Sequence, residues 1–317
     1  MERQAPASRA AGGDQAHSAL VHGGRSHARF RGCPAPVRAR GAVIASLRSP
    51  HTVDLFDFGV SNDGAFYYVM ELLDGLDAEA LVRRTGPVSA GRAIHLLRQV
   101  CHSLSEAASY GLVHGDIKPA NIFLCRYGED HDFVKVLDFG IVRATTDTAE
   151  TAPTSTRETI LGTPAYMAPE QALGSANVDC RADIYATGCV AYWLLTGEQV
   201  FTADTPMELL LQHVRTLPTP PSARTEVPIP SALDALVLSC LAKDPAARPQ
   251  TARELAGRLA SVEGANDWTD DRAGVVGQPP ACSVVATSST SARIRSSRQS
   301  YRKAAIGSIK DARRAGT

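Results

Sequence analysis

No run of about 18 apolar residues and no charged-then-apolar leader occurs in the 317-residue chain, so nothing in it reads as a membrane span or a secretion signal. Its seven cysteines, Cys33, Cys101, Cys125, Cys180, Cys189, Cys240 and Cys282, are scattered and include no Cys-x-x-Cys pair. That pattern supports neither a disulfide framework nor a zinc site, and it suits a reducing, cytoplasmic setting. Net charge is missing too. The 33 basic side chains balance 33 acidic ones, which removes the bulk attraction that would draw the chain to nucleic acid or an anionic membrane. Acidic residues are absent from 33–47, and no lysine occurs before Lys118. The rest is ordinary for a globular protein: 44% hydrophobic and 21% charged residues can build a sizeable core.

The densest chemistry lies in His114-Gly115-Asp116-Ile117-Lys118-Pro119-Ala120-Asn121. One short loop holds an acid able to accept a proton, a lysine able to meet a phosphate and an amide able to ligate a metal, which is the equipment of phosphoryl transfer. Asp138-Phe139-Gly140 follows, then Gly162-Thr163-Pro164-Ala165-Tyr166-Met167-Ala168-Pro169-Glu170. A second Asp-Phe-Gly, at Asp57, Phe58 and Gly59, reads as a strand end and turn, so the tripeptide alone carries little weight.

Together and in this order, these motifs resemble the catalytic loop, metal-binding tripeptide and activation-segment end of bacterial-type Ser/Thr protein kinases, over roughly residues 41 to 260. The resemblance implies an α+β, bilobal fold with an intact, mainly helical C-lobe and a truncated N-lobe β-sheet. It implies ATP and Mg as cofactors and a protein Ser or Thr as substrate, while the balanced charge and the lack of a long apolar run give the expectation of no nucleic-acid partner and no membrane segment. By the same resemblance Asp116 is the base, Lys118 meets the transferred phosphate, and Asn121 and Asp138 ligate Mg. Met70 stands at the gatekeeper position, the backbone of Glu71 and Leu73 faces adenine, Asp77 sits at the ribose position and Phe123 floors the adenine pocket. Thr163 faces the substrate, and the lysine two positions after Asp116 favours the Ser/Thr class. His114 stacks under Phe139, Asp183 ties down the catalytic-loop backbone, and Arg248 pairs with Glu170. Two of these positions also admit a plainer role: Leu72, Leu73 and Leu76 as core, and Asp183 as a helix-start carboxylate.

Periodicity places the motifs on elements. Residues 53–56 and 65–70 read as a hairpin around the turn 61–64, 122–124 and 134–137 as strands, and 89–110 as the helix beneath the catalytic loop. Ile184 to Leu195 reads as a buried helix, with amphipathic helices at 233–241 and 252–259. The resulting division is a degenerate or disordered segment 1–40, a remnant N-lobe and hinge 41–75, a C-lobe 76–262 and a Ser/Arg-rich tail 263–317.

The resemblance fails at the front. There is no Gly-x-Gly-x-x-Gly phosphate loop, the strand lysine is absent, and the position of its glutamate partner falls on Arg40. Losing one preorganised donor of this kind costs roughly 3 to 4 kcal/mol, or about 10² to 10³ in rate. Three readings stay open: a kinase with another basic group filling in, a pseudokinase-type binding module, and a truncated or frameshifted kinase. Gly115 is a second departure. It stands where an arginine clamps a phosphorylated activation loop, so phosphorylation at Thr146, Thr148, Thr151, Thr154, Thr156 or Thr159 is expected to give weak control.

Overall fold

In the computed structural model, residues 30–31, 35–60, 66–128, 130–139, 163–268 and 282–284 are described. The 61–64 turn, the Thr-rich segment 145–159 and the tail from Ser288 lie outside these residues. The fold is α+β. A small sheet and one helix sit above a larger, mainly helical body.

The small part begins with β1 (Phe30–Arg31) and α1 (Ala35–Ser46); β1 and residues 35–40 of α1 fall in the segment that composition reads as degenerate or disordered. It continues with β2 (Leu55–Val60) and β3 (Phe66–Met70). The sheet order is β1-β2-β3, with β1 parallel and β3 antiparallel to β2. Gly41 of α1 packs against the Phe58 ring, where any Cβ would clash, so the helix approaches the sheet through a glycine. The link to the larger body is polar as well as apolar. The Glu106 carboxylate accepts from the backbone N–H of Arg48 and Ser49, each at 2.6 Å, and the Thr52 and Ser103 hydroxyls meet at 2.6 Å.

After β3 the chain runs through β4 (Leu73–Asp77) into α2 (Ala78–Thr85) and α3 (Ala90–Ser109). Asp77 caps α2 by accepting from Ala80 N at 2.7 Å, and Ser89 caps α3, so both helix starts satisfy free N–H groups locally. Next come β5 (Ile122–Tyr127) and β6 (Asp130–Val136), an antiparallel pair whose β6 is tied to α3 through Arg92 and Gln99. With β4 and β7 (Cys282–Val284) they form a second sheet of order β6-β5-β4-β7, in which Leu73 faces Val284. Gly75 lets β4 approach the Leu124 carbonyl more closely than a side chain would permit.

The remaining helices are α4 (Pro169–Ala172), α5 (Cys180–Thr196), α6 (Pro206–Arg215), α7 (Ser231–Cys240) and α8 (Ala252–Ala260). The helix α5 is apolar on nearly every side because it is central: Tyr185, Val190, Tyr192 and Leu195 are fully buried. Its neighbours in one continuous core include Ile94, Leu97 and Val100 of α3, Leu233 of α7 and Leu255 of α8. Each such aliphatic side chain contributes about 1.5–3 kcal/mol when fully buried. Ile44 and Leu47 belong to the same core and seat the small part on the large one.

Packing continues past α8. Val262 and Ala265 are buried, and the Trp268 indole N–H donates to Asp132 Oδ2 at 3.0 Å. Arg92 holds the same carboxylate through Nε and Nη2 at 2.8 and 2.9 Å and lies 4.8 Å from the Trp268 ring.

Candidate active site

The catalytic-loop sequence runs between α3 and β5 and is held from below. His114 and Gly115 donate their backbone N–H groups to Asp183 Oδ2 and Oδ1 at 2.8 and 2.7 Å. Asp183 is buried in the first turn of α5, so one carboxylate fixes two consecutive peptides of the loop. His114 is fully buried. Its Nε2 meets the Leu137 carbonyl at 2.8 Å and its Nδ1 meets Asp116 N at 3.2 Å, which makes it an Nε2–H tautomer with Nδ1 accepting. Its ring lies 4.6 Å from that of Phe139.

On this floor three polar side chains converge. Lys118 Nζ donates to Asp116 Oδ2 at 2.7 Å and to Thr163 Oγ1 at 3.2 Å. Asn121 Nδ2 donates to the Asp116 carbonyl at 2.9 Å and to Oδ2 at 3.2 Å. The short 3-10 turn Pro119–Asn121 brings Asn121 back over Asp116, and the turn Pro164–Tyr166 sets Thr163 at the rim. Gln171 of α4 joins the rim to the loop by donating to the Gly115 carbonyl at 3.2 Å.

Asp138 follows β6 on the opposite side. Its backbone sits at φ 54°, a left-handed conformation that costs an L-residue about 1–2 kcal/mol, and its side chain is open to the cleft. Protein crowding pushes its carboxyl above the usual carboxylate range, while the Tyr68 hydroxyl and the nearby Lys118 charge act in the other direction. Among the described residues nothing engages Asp138 Oδ2 or Asn121 Oδ1. Two hard oxygens are therefore available to a divalent cation such as Mg, which takes one or two protein ligands and completes its shell with water and phosphate.

Met70, Leu73 and Phe123 come together with Val53, Cys125 and Leu137 in a small apolar cluster apart from the main core. Glu71 is engaged on both sides. Its N–H donates to the Asp54 carbonyl at 3.0 Å, and its carboxylate accepts from Asp54 N at 2.8 Å and from Lys135 Nζ at 2.6 Å. The Asp77 carboxylate serves α2 as cap, and Asp77 lies opposite Phe123 in the β4–β5 register. Glu170 and Arg248 form an ion pair at 2.7 Å.

Three features have no motif in the sequence. Tyr68 donates to Asp138 Oδ1 at 2.9 Å. Arg40, at the glutamate position, donates to the carbonyls of Val113 and Phe139. The Arg92–Asp132–Trp268 cluster braces β6 against α3. Of the three, only Arg40 leaves a signal in the sequence, as a basic residue at the glutamate position.

Residues 36–258 match the protein kinase domain model. PknB of Mycolicibacterium smegmatis, a serine/threonine-protein kinase, is 40% identical over 228 residues, covering 71% of this chain and 35% of that protein. The serine/threonine-protein kinase pkn3 of Myxococcus xanthus is 39% identical over 227 residues, covering 71% and 41%. The chain thus spans well under half the length of these relatives. Among solved structures, the Mycobacterium tuberculosis PknI kinase domain aligns with a TM-score of 0.54 at 28% identity, covering 73% of this chain and 80% of the other. Rad53 in complex with AMP-PNP aligns at 0.57 and 27% identity, covering 70% and 54%. The ordered motifs, the bilobal α+β arrangement and these matches agree, and the chain belongs to the protein kinase family, among its bacterial-type serine/threonine members.

Proposed function

We propose that the chain transfers the γ-phosphate of ATP to a serine or threonine hydroxyl of a protein substrate. The observation that carries this reading is the chain of side-chain contacts from Asn121 to Asp116 at 3.2 Å, Asp116 to Lys118 at 2.7 Å and Lys118 to Thr163 at 3.2 Å, beside the open Asp138. Asp116 accepts the hydroxyl proton, a role worth about 10² to 10⁴ in rate. Lys118 supplies a compact positive charge toward the moving phosphoryl group and orients Asp116. Asn121 and Asp138 offer oxygens to Mg, which when bound neutralises phosphate charge. Met70 and Phe123 give adenine an apolar wall, and the backbone of Glu71 and Leu73 runs along its edge. Thr163 lines the side on which the substrate hydroxyl enters.

The missing strand lysine and phosphate loop favour a slow enzyme, and they support a second reading as a pseudokinase-type module that acts by contact. Arg40 sharpens that alternative, because its guanidinium is committed to backbone carbonyls. The test is phosphate transfer from labelled ATP with Mg, by the purified chain, to itself and to a basic protein substrate, beside Asp116→Ala. Signal that the variant loses supports the kinase. Nucleotide binding with no transfer moves the assignment to the contact-acting module. Among the described residues no helix is long and apolar enough to cross a membrane.

A further inference from the structure

The carboxylate assigned to Mg has a partner that none of the ordered motifs supplies. Tyr68 lies on β3, two residues before Met70; it is 7% exposed, and its hydroxyl donates to Asp138 Oδ1 at 2.9 Å. One residue further along, the Phe139 carbonyl accepts from Arg40 Nη2 at 3.2 Å and Nε at 3.3 Å. The same Nη2 reaches the Val113 carbonyl at 2.7 Å, on the residue before the catalytic loop. Asp138 between them holds the left-handed conformation that its neighbours must maintain.

We propose that Tyr68 and Arg40 are positioning residues that hold Asp138 ready for the metal in a site that lacks the lysine–glutamate pair. Tyr68 fixes the carboxylate through Oδ1, and Arg40 locks the Phe139 peptide to the Val113 peptide. The inference rests on the reading of Asp138 as a metal ligand.

Three physical points support it. A carboxylate has about four acceptor sites, so one phenol on Oδ1 sets the plane of the group and leaves Oδ2 for a cation. A guanidinium presents five donors in a planar fork and can bridge two carbonyls on separate segments. The two departures are also matched in sign. Without a lysine, a glutamate at position 40 would set an uncompensated negative charge against the Phe139 and Val113 oxygens, whereas an arginine turns both contacts attractive. Removing a group that orients a metal ligand typically lowers metal affinity about 10- to 100-fold.

The test is calorimetric binding of AMP-PNP to the full chain, with Mg and with chelator, for wild type, Tyr68→Phe, Arg40→Met and Arg40→Lys. Tyr68→Phe keeps the packed ring and is expected to lose the Mg-dependent gain in affinity by about 10- to 100-fold, with Mg-free binding unchanged. Arg40→Met is expected to lose the same gain and, in the ligand-free chain, to speed amide exchange at Leu137, Asp138 and Phe139. Arg40→Lys can reach one carbonyl but cannot bridge two, and falls between. A Tyr68→Phe chain with the wild-type Mg gain, or a larger one, overturns the positioning role while the metal assignment stands. A wild type that binds AMP-PNP with no Mg gain overturns the metal assignment and this proposal with it.

Discussion

Arg248 and Glu170 meet through two parallel hydrogen bonds, Nη1 to Oε1 at 2.7 Å and Nη2 to Oε2 at 2.8 Å. The arginine side chain is 0% exposed and the glutamate 12%. Arg248 also donates to the carbonyls of Ala242, Arg181 and Lys243, so one side chain ties α4, α5 and the loop before α8 together. Arg248→Ala strands Glu170 and three carbonyls at once, and is expected to cost about 3–5 kcal/mol in denaturant unfolding. Glu170→Ala leaves the guanidinium its carbonyl partners, and its smaller cost in the same experiment checks the assignment.

Asp183 accepts from two adjacent peptides, one per oxygen, an arrangement an amide cannot reproduce. Asp183→Asn turns one acceptor into an NH₂ facing a backbone N–H. The expected loss is about 1.5–3 kcal/mol of loop stability, read as faster amide exchange at His114 and Gly115. Phosphate transfer should fall with it while the far-UV spectrum stays that of the wild type. Unchanged exchange at those two amides would remove Asp183 as the anchor of the loop.

These contacts differ in how legible they were. Arg248, Glu170, Asp183 and the octapeptide sit at positions that match the family's motifs, so their proximity was implied by the resemblance. Tyr68 reads in sequence as one more aromatic on a strand, and its partner is 70 residues away. Arg40 bonds to carbonyls, which every residue possesses, so its targets leave no trace in the amino-acid identities. Asp132 is joined by Arg92 and Trp268, the latter 136 positions distant, and only folding shows that the chain past 262 still packs. Short strands such as β1 and β7 lack the length that makes alternation visible.

His213 gives the fold a predictable acid limit. It is fully buried on α6, hydrogen-bonded through Nδ1 to the Tyr185 hydroxyl at 2.9 Å and packed edge-on against Phe201. Burial, reinforced by the neighbouring Lys243 ammonium, lowers its pKa to about 4. As pH falls below 6.5 the unfolded chain takes up a proton that the folded chain refuses, so stability drops until about pH 4 and then levels. The loss attributable to this residue is on the order of 3 kcal/mol. Denaturant unfolding of wild type and His213→Phe at pH 7.5 and 4.5 checks it, the variant being less stable at neutral pH but losing less on acidification.

Gly115 is expected to weaken the response of the site to phosphorylation. Its N–H is used by Asp183, its carbonyl accepts from Gln171, and its φ is 78°, so the position serves through its backbone alone. With no guanidinium there, a phosphate added to the Thr-rich segment lacks the bidentate partner that would order it. Phosphorylated and unphosphorylated chains are therefore expected to transfer phosphate at rates within a factor of about ten, 1.4 kcal/mol in barrier. Gly115→Arg should supply the missing charge and create a phosphorylation-dependent gain. It forces an L-side chain into the left-handed region, so a stability loss of about 1–2 kcal/mol accompanies the gain. A wild-type chain whose activity rises a hundredfold on loop phosphorylation would show that another basic group grips the phosphate.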